Sequence, residues 1–218
     1  MTIRVLIADD QAMVRTGFRL LLQQEPDIEV VAEAADGPEA LEAAVRLSPD
    51  VCLLDVRMPG MDGLEVTRRL NGPEVIDPPR VVIVTTFNQD EYVYRALQNG
   101  ACGFLLKDAG PALLITAVRA AAAGDALISP SVTVRLLERM ASTGGSGAPA
   151  PDEPLTDRET EVVRLMADGA TNQEIAETLF VSLSTVKSHL SNVQAKLGAR
   201  NRVEIAAWAW RSGLAGDS

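Results

Sequence analysis

The stretch Val51-Cys-Leu-Leu-Asp55-Val-Arg-Met-Pro-Gly-Met-Asp-Gly63 joins a short apolar run to a carboxylate and to a loop rich in glycine and proline. Four apolar residues are too few for a helix and are typical of a strand covered on both faces. Asp55 follows at the carboxyl end of this strand, where an open parallel sheet forms a crevice for ligands. Asp55 is therefore a candidate reactive group, although a turn residue with no chemical role would give the same local pattern.

Three other apolar runs end in polar side chains in the same way: Ile3–Ala8 before Asp9 and Asp10, residues 81–84 before Thr85 and Thr86, and Gly103–Leu106 before Lys107 and Asp108. Because the carboxyl ends of parallel strands lie side by side, we expect these polar groups in one crevice. Clustered carboxylates repel each other unless a cation lies among them, and oxygen ligands suit Mg²⁺. A carboxylate nucleophile, a divalent cation and a lysine are the groups that phosphoryl transfer requires.

Each of these strands is followed by a helical pattern, and a further apolar run at residues 28–32 completes five strands. The helices are predicted at residues 12–23, Gly37–Leu47, residues 62–70, Asp90–Gln98 and Pro111–Ala123. Alternation of this kind predicts an α/β fold, a doubly wound five-stranded parallel sheet of flavodoxin-like type with helices on both faces.

At these positions the chain resembles the receiver domain of two-component response regulators, over residues 1–125. The resemblance implies that Asp55 accepts a phosphoryl group from a cognate sensor histidine kinase. The residues that would hold Mg²⁺ are Asp9, Asp10, Asp55 and, through its backbone carbonyl, Arg57. Such a protein is not an enzyme with separate substrates, since its chemistry is limited to self-phosphorylation and slow hydrolysis of the acyl phosphate.

The resemblance also assigns a switch. Lys107 would pair with the phosphoryl group, Thr85 would move to form a hydrogen bond with it, and Phe104 would turn inward on activation. Arg57 and Phe87 vary within the family and tune the lifetime of the phosphoryl group, so that lifetime is left open.

Two other functions compete for the same crevice. An atypical receiver could sense a small ligand or a partner protein without phosphorylation, but the complete acidic set with Thr85 and Lys107 argues against it. A phosphatase active site is the other alternative, and it is weakened because no separate general acid accompanies Asp55.

The character of the chain changes from Ser129 onward. We expect a connector in residues 126–153, with an amphipathic helix at residues 132–140 and a flexible Gly-, Ser- and Pro-rich tether at residues 142–152. A second, smaller all-α domain is predicted at residues 154–218. Three of its four helix starts carry a capping side chain three residues before a glutamate, namely Thr156 with Glu159, Thr171 with Glu174, and Asn201 with Glu204.

The third helix of this domain has an apolar stripe and a polar face. The stripe, expected to be buried, consists of Leu183, Val186, Leu190, Val193 and Leu197. The opposite face carries Ser184, Lys187, Ser188 and Ser191, short donors with one cation that suit the major groove of DNA. A solvated helix of an all-α interaction domain is the plainer alternative.

The charge of the chain favours binding to nucleic acid only in one stretch of the second domain. The whole chain has a net charge of −10, yet residues 181–211 contain five cations, Lys187, Lys196, Arg200, Arg202 and Arg211, against the single acid Glu204. A local positive field is what matters for docking on phosphates. His189 has no partner ligand near it in sequence, so it is expected to flank the helix core or touch a phosphate.

The segments Thr185-Val-Lys-Ser-His-Leu-Ser-Asn192 and Lys196-Leu-Gly198 resemble the LuxR-type helix-turn-helix domain, over residues 155–209. This resemblance implies promoter DNA as a partner, pairing through the last helix, and a homodimer when the receiver is phosphorylated. The expected DNA contacts are Ser184, Lys187, Ser188, Ser191, Arg200 and Arg202. Ser191 stands where some relatives have a second lysine, so fewer contacts could follow there.

Two further expectations come from the apolar residues. No apolar stretch approaches the roughly 20 residues that span a bilayer, and the first strand begins almost at once, so we expect a cytoplasmic protein with no signal peptide or membrane anchor. Cys52 and Cys102 lie in apolar segments without metal-ligand spacing, and both are expected to be buried reduced thiols.

Overall fold

The computed structural model describes residues 2–72, 74–86, 89–128 and 153–214. The chain divides into two compact units, Met1–Arg139 and Met140–Ser218. The predicted connector helix at residues 132–140, the tether at residues 142–152 and Phe87 lie outside the described residues.

The first unit contains a parallel sheet with the strand order β2-β1-β3-β4-β5-β6. Its strands are β1 Ile3–Ala8, β2 Ile28–Ala34, β3 Val51–Leu54, β4 Arg80–Thr85, β5 Gly103–Leu106 and β6 Leu127–Ile128. The chain runs from β1 outward to β2 and then returns to β3 on the other side of β1, so the sheet has a switch point between β1 and β3. The switch point places a crevice at the carboxyl ends of these two strands.

The five predicted strands are confirmed, and β2 and β4 are longer than predicted. The two-residue strand β6 was not predicted, because two residues are too short to show a periodic pattern. It extends the sheet beyond residue 125 by pairing with β5, Gly103 with Leu127 and Phe104 with Ile128.

Five described helices connect the strands: α1 Ala12–Leu22, α2 Gly37–Leu47, α3 Gly63–Leu70, α4 Asp90–Gln98 and α5 Pro111–Ala123. Aspartates begin two of them, since Asp36 accepts a hydrogen bond from the Glu39 N–H and Asp62 from the Glu65 N–H. Asp62 is thus the cap of α3 and not its first residue, one position from the prediction.

Strands β1, β3, β4 and β5 are largely buried on both faces, which explains their nearly uniform apolar sequences, whereas the edge strand β2 exposes Glu29 and Glu33. On one face Val5, Leu53 and Val84 pack with Leu22 of α1 and Leu114 of α5. On the other face, α2 contacts β1 and β2, and α4 contacts β5.

The two cysteines are buried and free, as predicted. Burial raises the pKa of the Cys102 thiol to about 11 and raises that of Cys52 further. Both thiols therefore stay protonated at neutral pH.

The second unit contains α6 Asp157–Ala167, α7 Asn172–Leu179, α8 Leu183–Leu197 and α9 Arg202–Arg211. The capping boxes at Thr156 and Thr171 are confirmed. At the third start, Asn201 accepts from the Glu204 N–H, but the Glu204 carboxylate accepts from the Arg200 N–H 2.8 Å away. Ser182, which no glutamate marks in the sequence, caps α8 by accepting from the N–H of Thr185.

The core of this unit joins all four helices through residues such as Val162, Ile175, Val193 and Ile205. The prediction that Leu183 is buried is wrong, because 36% of this side chain is exposed. Leu183 is the first residue of α8, so it lies next to the preceding turn and to solvent. The apolar residues further along α8 lie closer to the core.

Trp208 packs against the core whereas Trp210 is 55% exposed, as expected for side chains on opposite sides of one helix. Among the helices that the structure describes, none combines the length and apolar character needed to cross a bilayer.

Candidate functional site

The carboxyl ends of β1 and β3 bring two acids together. The Asp55 N–H donates to the Ala8 carbonyl at 2.9 Å, which places Asp55 beside Asp9 at the edge of the sheet. Both residues are buried, with 1% of Asp9 and 3% of Asp55 exposed, whereas Asp10 faces solvent. One carboxylate oxygen from each of Asp9, Asp10 and Asp55 lies within 4.8 Å of the others.

Lys107 reaches this cluster from the end of β5. Its Nζ lies 2.6 Å from Asp9 Oδ2 and 2.9 Å from Asp55 Oδ2, and only 9% of its side chain is exposed. Burial would lower the pKa of Lys107, but its hydrogen bonds with Asp9 and Asp55 outweigh burial and raise that pKa. Burial also raises the pKa of Asp9, although the hydrogen bond from Lys107 opposes this rise.

The second oxygen of each buried acid differs in its environment. Asp9 Oδ1 accepts from the Gln11 N–H at 3.0 Å. Asp55 Oδ1 is fully buried, and the structure gives it no hydrogen-bond partner. An unsatisfied buried carboxylate oxygen is costly, by about 1–3 kcal/mol or more, so this atom is suited to a cation. The oxygen ligands of Asp9, Asp10 and Asp55 fit Mg²⁺, which takes few protein ligands and keeps several waters.

The loop after Asp55 passes unusually close to it. A Cβ atom on Gly63 would lie 2.0 Å from the backbone oxygen of Asp55, so only glycine fits there. The Gly63 N–H also donates to the Val56 carbonyl at 2.9 Å, which holds the start of α3 against the pocket. Sequence reasoning identified Gly63 as a loop residue, but this contact depends on the folded path of the chain.

The two predicted switch residues, Thr85 and Phe104, lie on one face of the sheet. Ile83 pairs with Phe104, and Thr85 pairs with Leu106, so the side chains of Thr85 and Phe104 are diagonal neighbours. Both residues are fully buried. Phe104 is therefore buried in this structure, and its inward turn on activation stays a prediction.

Two arginine contacts at this edge were not predicted. The Arg15 guanidinium donates to the backbone oxygen of Asp9 at 2.6 Å, one turn into α1. Arg57, expected to offer its backbone carbonyl to the metal, also donates from its guanidinium to the hydroxyl of Tyr92 at 3.3 Å. Arg15 lies six residues after Asp9, in the first turn of the helix that follows the acidic pair, and this position is the signal that could have identified it.

The polar face of α8 is exposed as predicted, with Ser184, Lys187, Ser188 and Ser191 all in solvent. The hydroxyl of Ser188 donates to the Ser184 carbonyl at 3.0 Å. Lys187 forms no salt bridge with any residue in the described ranges. This face lies opposite the buried side chains of α8.

Two other cationic side chains, Lys196 and Arg202, bind groups within the second unit. Lys196 Nζ lies 2.9 Å from Glu159 Oε2 and donates to the Pro154 carbonyl. The Arg202 guanidinium donates to the Asn172 side chain at 2.7 Å and to the Ala170 carbonyl. Arg202 was expected at the DNA, and the structure uses its guanidinium to join α9 to the start of α7.

Two family models match the chain: the response regulator receiver domain over residues 5–119, and the bacterial regulatory proteins of the luxR family over residues 153–209. The chain therefore belongs to the two-component response regulators, in the class that joins a receiver domain to a LuxR-type helix-turn-helix domain. Members of this family regulate transcription, bind DNA and are phosphorylated by sensor kinases, and receiver domains generally bind Mg²⁺ in an acidic pocket.

Individual relatives extend over nearly the whole chain. The transcriptional regulatory protein LiaR of Bacillus subtilis (strain 168) is 41% identical over 212 residues, which cover 97% of this chain and 99% of LiaR. The crystal structure of the response regulator ChrA, from a heme-sensing two-component system, is 36% identical, with a TM-score of 0.53 and 98% of both chains covered. A complex of the response regulator RcsB with DNA is 27% identical, with a TM-score of 0.59, and covers 97% of this chain and 99% of RcsB.

Proposed function

We propose that Asp55 accepts a phosphoryl group from a sensor histidine kinase in a Mg²⁺-dependent step, and that this change controls dimerisation and DNA binding. One observation carries the proposal: Lys107 bridges Asp9 and Asp55 while the second oxygen of Asp55 stays buried without a hydrogen-bond partner. The pocket thus combines a fixed carboxylate, a fixed ammonium and an acidic site for a cation.

In the transfer, the bond between phosphorus and the histidine nitrogen of the kinase breaks, and a bond forms between phosphorus and a carboxylate oxygen of Asp55. The histidine nitrogen keeps the electron pair of the broken bond. Lys107, already within 2.9 Å of Asp55 Oδ2, neutralises part of the negative charge on the phosphoryl oxygens. When bound to Asp9, Asp10, Asp55 and the Arg57 carbonyl, Mg²⁺ supplies further positive charge to those oxygens.

The proposal predicts one labelled residue. With Mg²⁺ and acetyl phosphate as the phosphodonor, the chain should gain one acid-stable, base-labile phosphoryl group, measured as intact mass. Asp55→Asn should abolish the gain, because an amide is not a phosphoryl acceptor. Asp108→Asn is the matched control, since Asp108 follows Lys107 but is exposed, and it should be labelled like the parent. Undiminished labelling of Asp55→Asn would refute the assignment.

The output step uses the exposed face of α8 in the major groove of promoter DNA. Ser184, Lys187, Ser188 and Ser191 lie on that face, and Arg200 is exposed beyond the end of the helix. Arg202 supports this surface from within the unit and is a weaker candidate for direct contact. Phosphorylated receivers pair, and two linked DNA-binding domains then meet two half-sites at a raised effective concentration.

The remaining parts of the proposal concern domain limits and place of action. We assign the receiver to residues 1–125, the connector to residues 126–153 and the DNA-binding domain to residues 154–218, with the first residues of the connector adding β6 to the receiver sheet. A regulator whose target is promoter DNA and whose donor is the kinase domain of a sensor acts in the cytoplasm.

A further inference from the structure

All four helices of the range 153–214 end in the same backbone motif. In each, one residue in the left-handed conformation donates to the carbonyl three residues back, and the next residue donates to the carbonyl five residues back. The left-handed residues are Gly169, Phe180, Gly198 and Gly213, with φ of 95°, 54°, 60° and 73°. The residues that follow them, Ala170, Val181, Ala199 and Leu214, all pack against the core.

Phe180 is the exception in this set of four. Glycine is favoured at such a position because it has no Cβ to clash with the backbone, whereas a phenylalanine with φ of 54° is strained. Steric crowding does not explain why the other three positions are glycines, since a Cβ atom at Gly169, Gly198 or Gly213 would have nothing within 4 Å. Backbone conformation alone therefore accounts for these glycines and makes Phe180 an unfavourable choice for the fold.

The ring of Phe180 contributes little to the stability of the fold that could offset this strain. The residue is 95% exposed, so its apolar surface stays in water. The backbone there is held by other groups: Val181 packs into the core, and Arg158 donates to the Leu179 carbonyl at 2.6 Å. The left-handed conformation at residue 180 is thus imposed by its neighbours whichever side chain stands there.

The location of Phe180 indicates what its ring contacts. It lies two residues before Ser182, the cap of α8, and Leu183 at the first position of that helix is also exposed. The amino-terminal end of a recognition helix is the part that meets the bases. An aromatic ring can pack there on deoxyribose or on the methyl group of thymine.

We propose that Phe180 contacts DNA, and that its ring packs on a deoxyribose or on the methyl group of a thymine next to the first turn of α8. The proposal rests on the proposed DNA-binding function of α8 and adds an apolar contact to its polar face. Strain and exposure at residue 180 are then the cost of holding an aromatic ring outside the unit.

The test measures stability and DNA affinity on the same full-length variants. Phe180→Gly should raise the melting temperature of the second unit by about 5 °C, because glycine relieves the strain. It should also weaken binding about tenfold to a duplex that the parent protein selects from a random-sequence library. Both tryptophans, Trp208 and Trp210, lie in this unit, so tryptophan fluorescence follows its unfolding in the full chain.

Two controls separate the possible results. Gly169→Ala introduces the same strain at a matched helix end and should lower the melting temperature without changing DNA affinity. Lys187→Ala should weaken DNA binding without changing the melting temperature, because its side chain is exposed on the face opposite the core. Selected duplexes with deoxyuridine in place of thymine distinguish a methyl contact from a deoxyribose contact.

A variant that is more stable yet binds DNA more weakly supports the proposal. Unchanged affinity of Phe180→Gly together with weaker binding by Lys187→Ala would overturn the Phe180 contact and leave the DNA-binding face of α8 in place. Unchanged affinity of both variants would remove that face as well. If Phe180→Gly binds DNA normally but forms fewer dimers in light scattering, the ring contacts protein and the proposal is wrong.

Discussion

Gly63 shows how much a single residue limits the acceptor pocket. Any side chain there would meet the backbone of Asp55, since a Cβ atom would lie 2.0 Å from its carbonyl oxygen. The atom that blocks the space is backbone, which cannot rotate away as a flexible side chain could. The start of α3 would have to move away from the backbone of Asp55, and this movement would disturb the position of the Asp55 carboxylate.

Gly63→Ala should therefore destabilise the first unit by about 2–4 kcal/mol and slow phosphorylation of Asp55. Gly17→Ala in α1 is the control, because its Cβ would meet nothing within 4 Å and a helix interior prefers alanine. That variant should be more stable by about 0.5–1 kcal/mol. Urea unfolding followed by far-UV circular dichroism gives both values, and equal stability of Gly63→Ala and the parent would show that α3 can shift freely.

The members of the pocket could be predicted from the sequence, whereas several of their contacts could not. Asp9, Asp55 and Lys107 each follow an apolar run, and the parallel sheet then brings the ends of those runs together. The contact of Arg15 with the Asp9 carbonyl and the close approach of Gly63 depend on loop paths. A sequence pattern can place these residues in a loop or in the first turn of a helix, but it does not specify the backbone path that brings them into contact.

At the scale of elements, helix starts were predicted best because capping is a local interaction between residues three apart. Local patterns say less about where a long side chain finds its partner. Lys196 begins one of the two segments that resemble the LuxR-type domain, and it was counted among the cations of the positively charged stretch at residues 181–211. Its Nζ instead lies 2.9 Å from Glu159 Oε2, and this pair joins the end of α8 to the start of α6.

Lys196→Met should destabilise the second unit by about 3 kcal/mol, because Glu159 would remain buried without its cation. Burial alone would raise the pKa of Glu159, but the hydrogen bonds from Lys196 and Thr156 outweigh it and hold that pKa below its ordinary value. A lowered carboxyl pKa stabilises the fold above the pKa of the unfolded state, and this contribution is lost on acidification. The difference between parent and variant should thus be largest at pH 7 and shrink toward pH 4.

Tryptophan fluorescence during urea unfolding at several pH values measures this difference. Glu161→Gln is the control, because its partner Arg158 lies 2.7 Å away in an exposed pair that contributes only about 0.2–1 kcal/mol. A difference between parent and Lys196→Met that does not change with pH would show that Glu159 is not the group responsible.

At the scale of the whole molecule, the question is how a change at Asp55 reaches the DNA. The composition of residues 142–152 predicts a flexible tether, and a tether of this kind would not transmit a rigid rotation. A change in association is then the simpler coupling: phosphorylation draws Thr85 toward the phosphoryl group, alters the receiver surface from β4 to α5, and favours dimers. Thr85 is suited to this role because it is fully buried at the end of β4 and is the diagonal neighbour of Phe104.

Thr85→Ala should accept phosphate at Asp55 as the parent does, since Lys107 and the acids are untouched, yet it should neither dimerise nor gain DNA affinity. Thr86→Ala is the matched control, because the adjacent threonine is exposed, and it should respond like the parent. Light scattering and DNA titration with and without acetyl phosphate make the comparison, and intact mass confirms equal phosphorylation. If phosphorylated Thr85→Ala dimerises and binds DNA like the parent, the signal leaves the pocket by another path, and Thr85 is only a buried residue at the end of its strand.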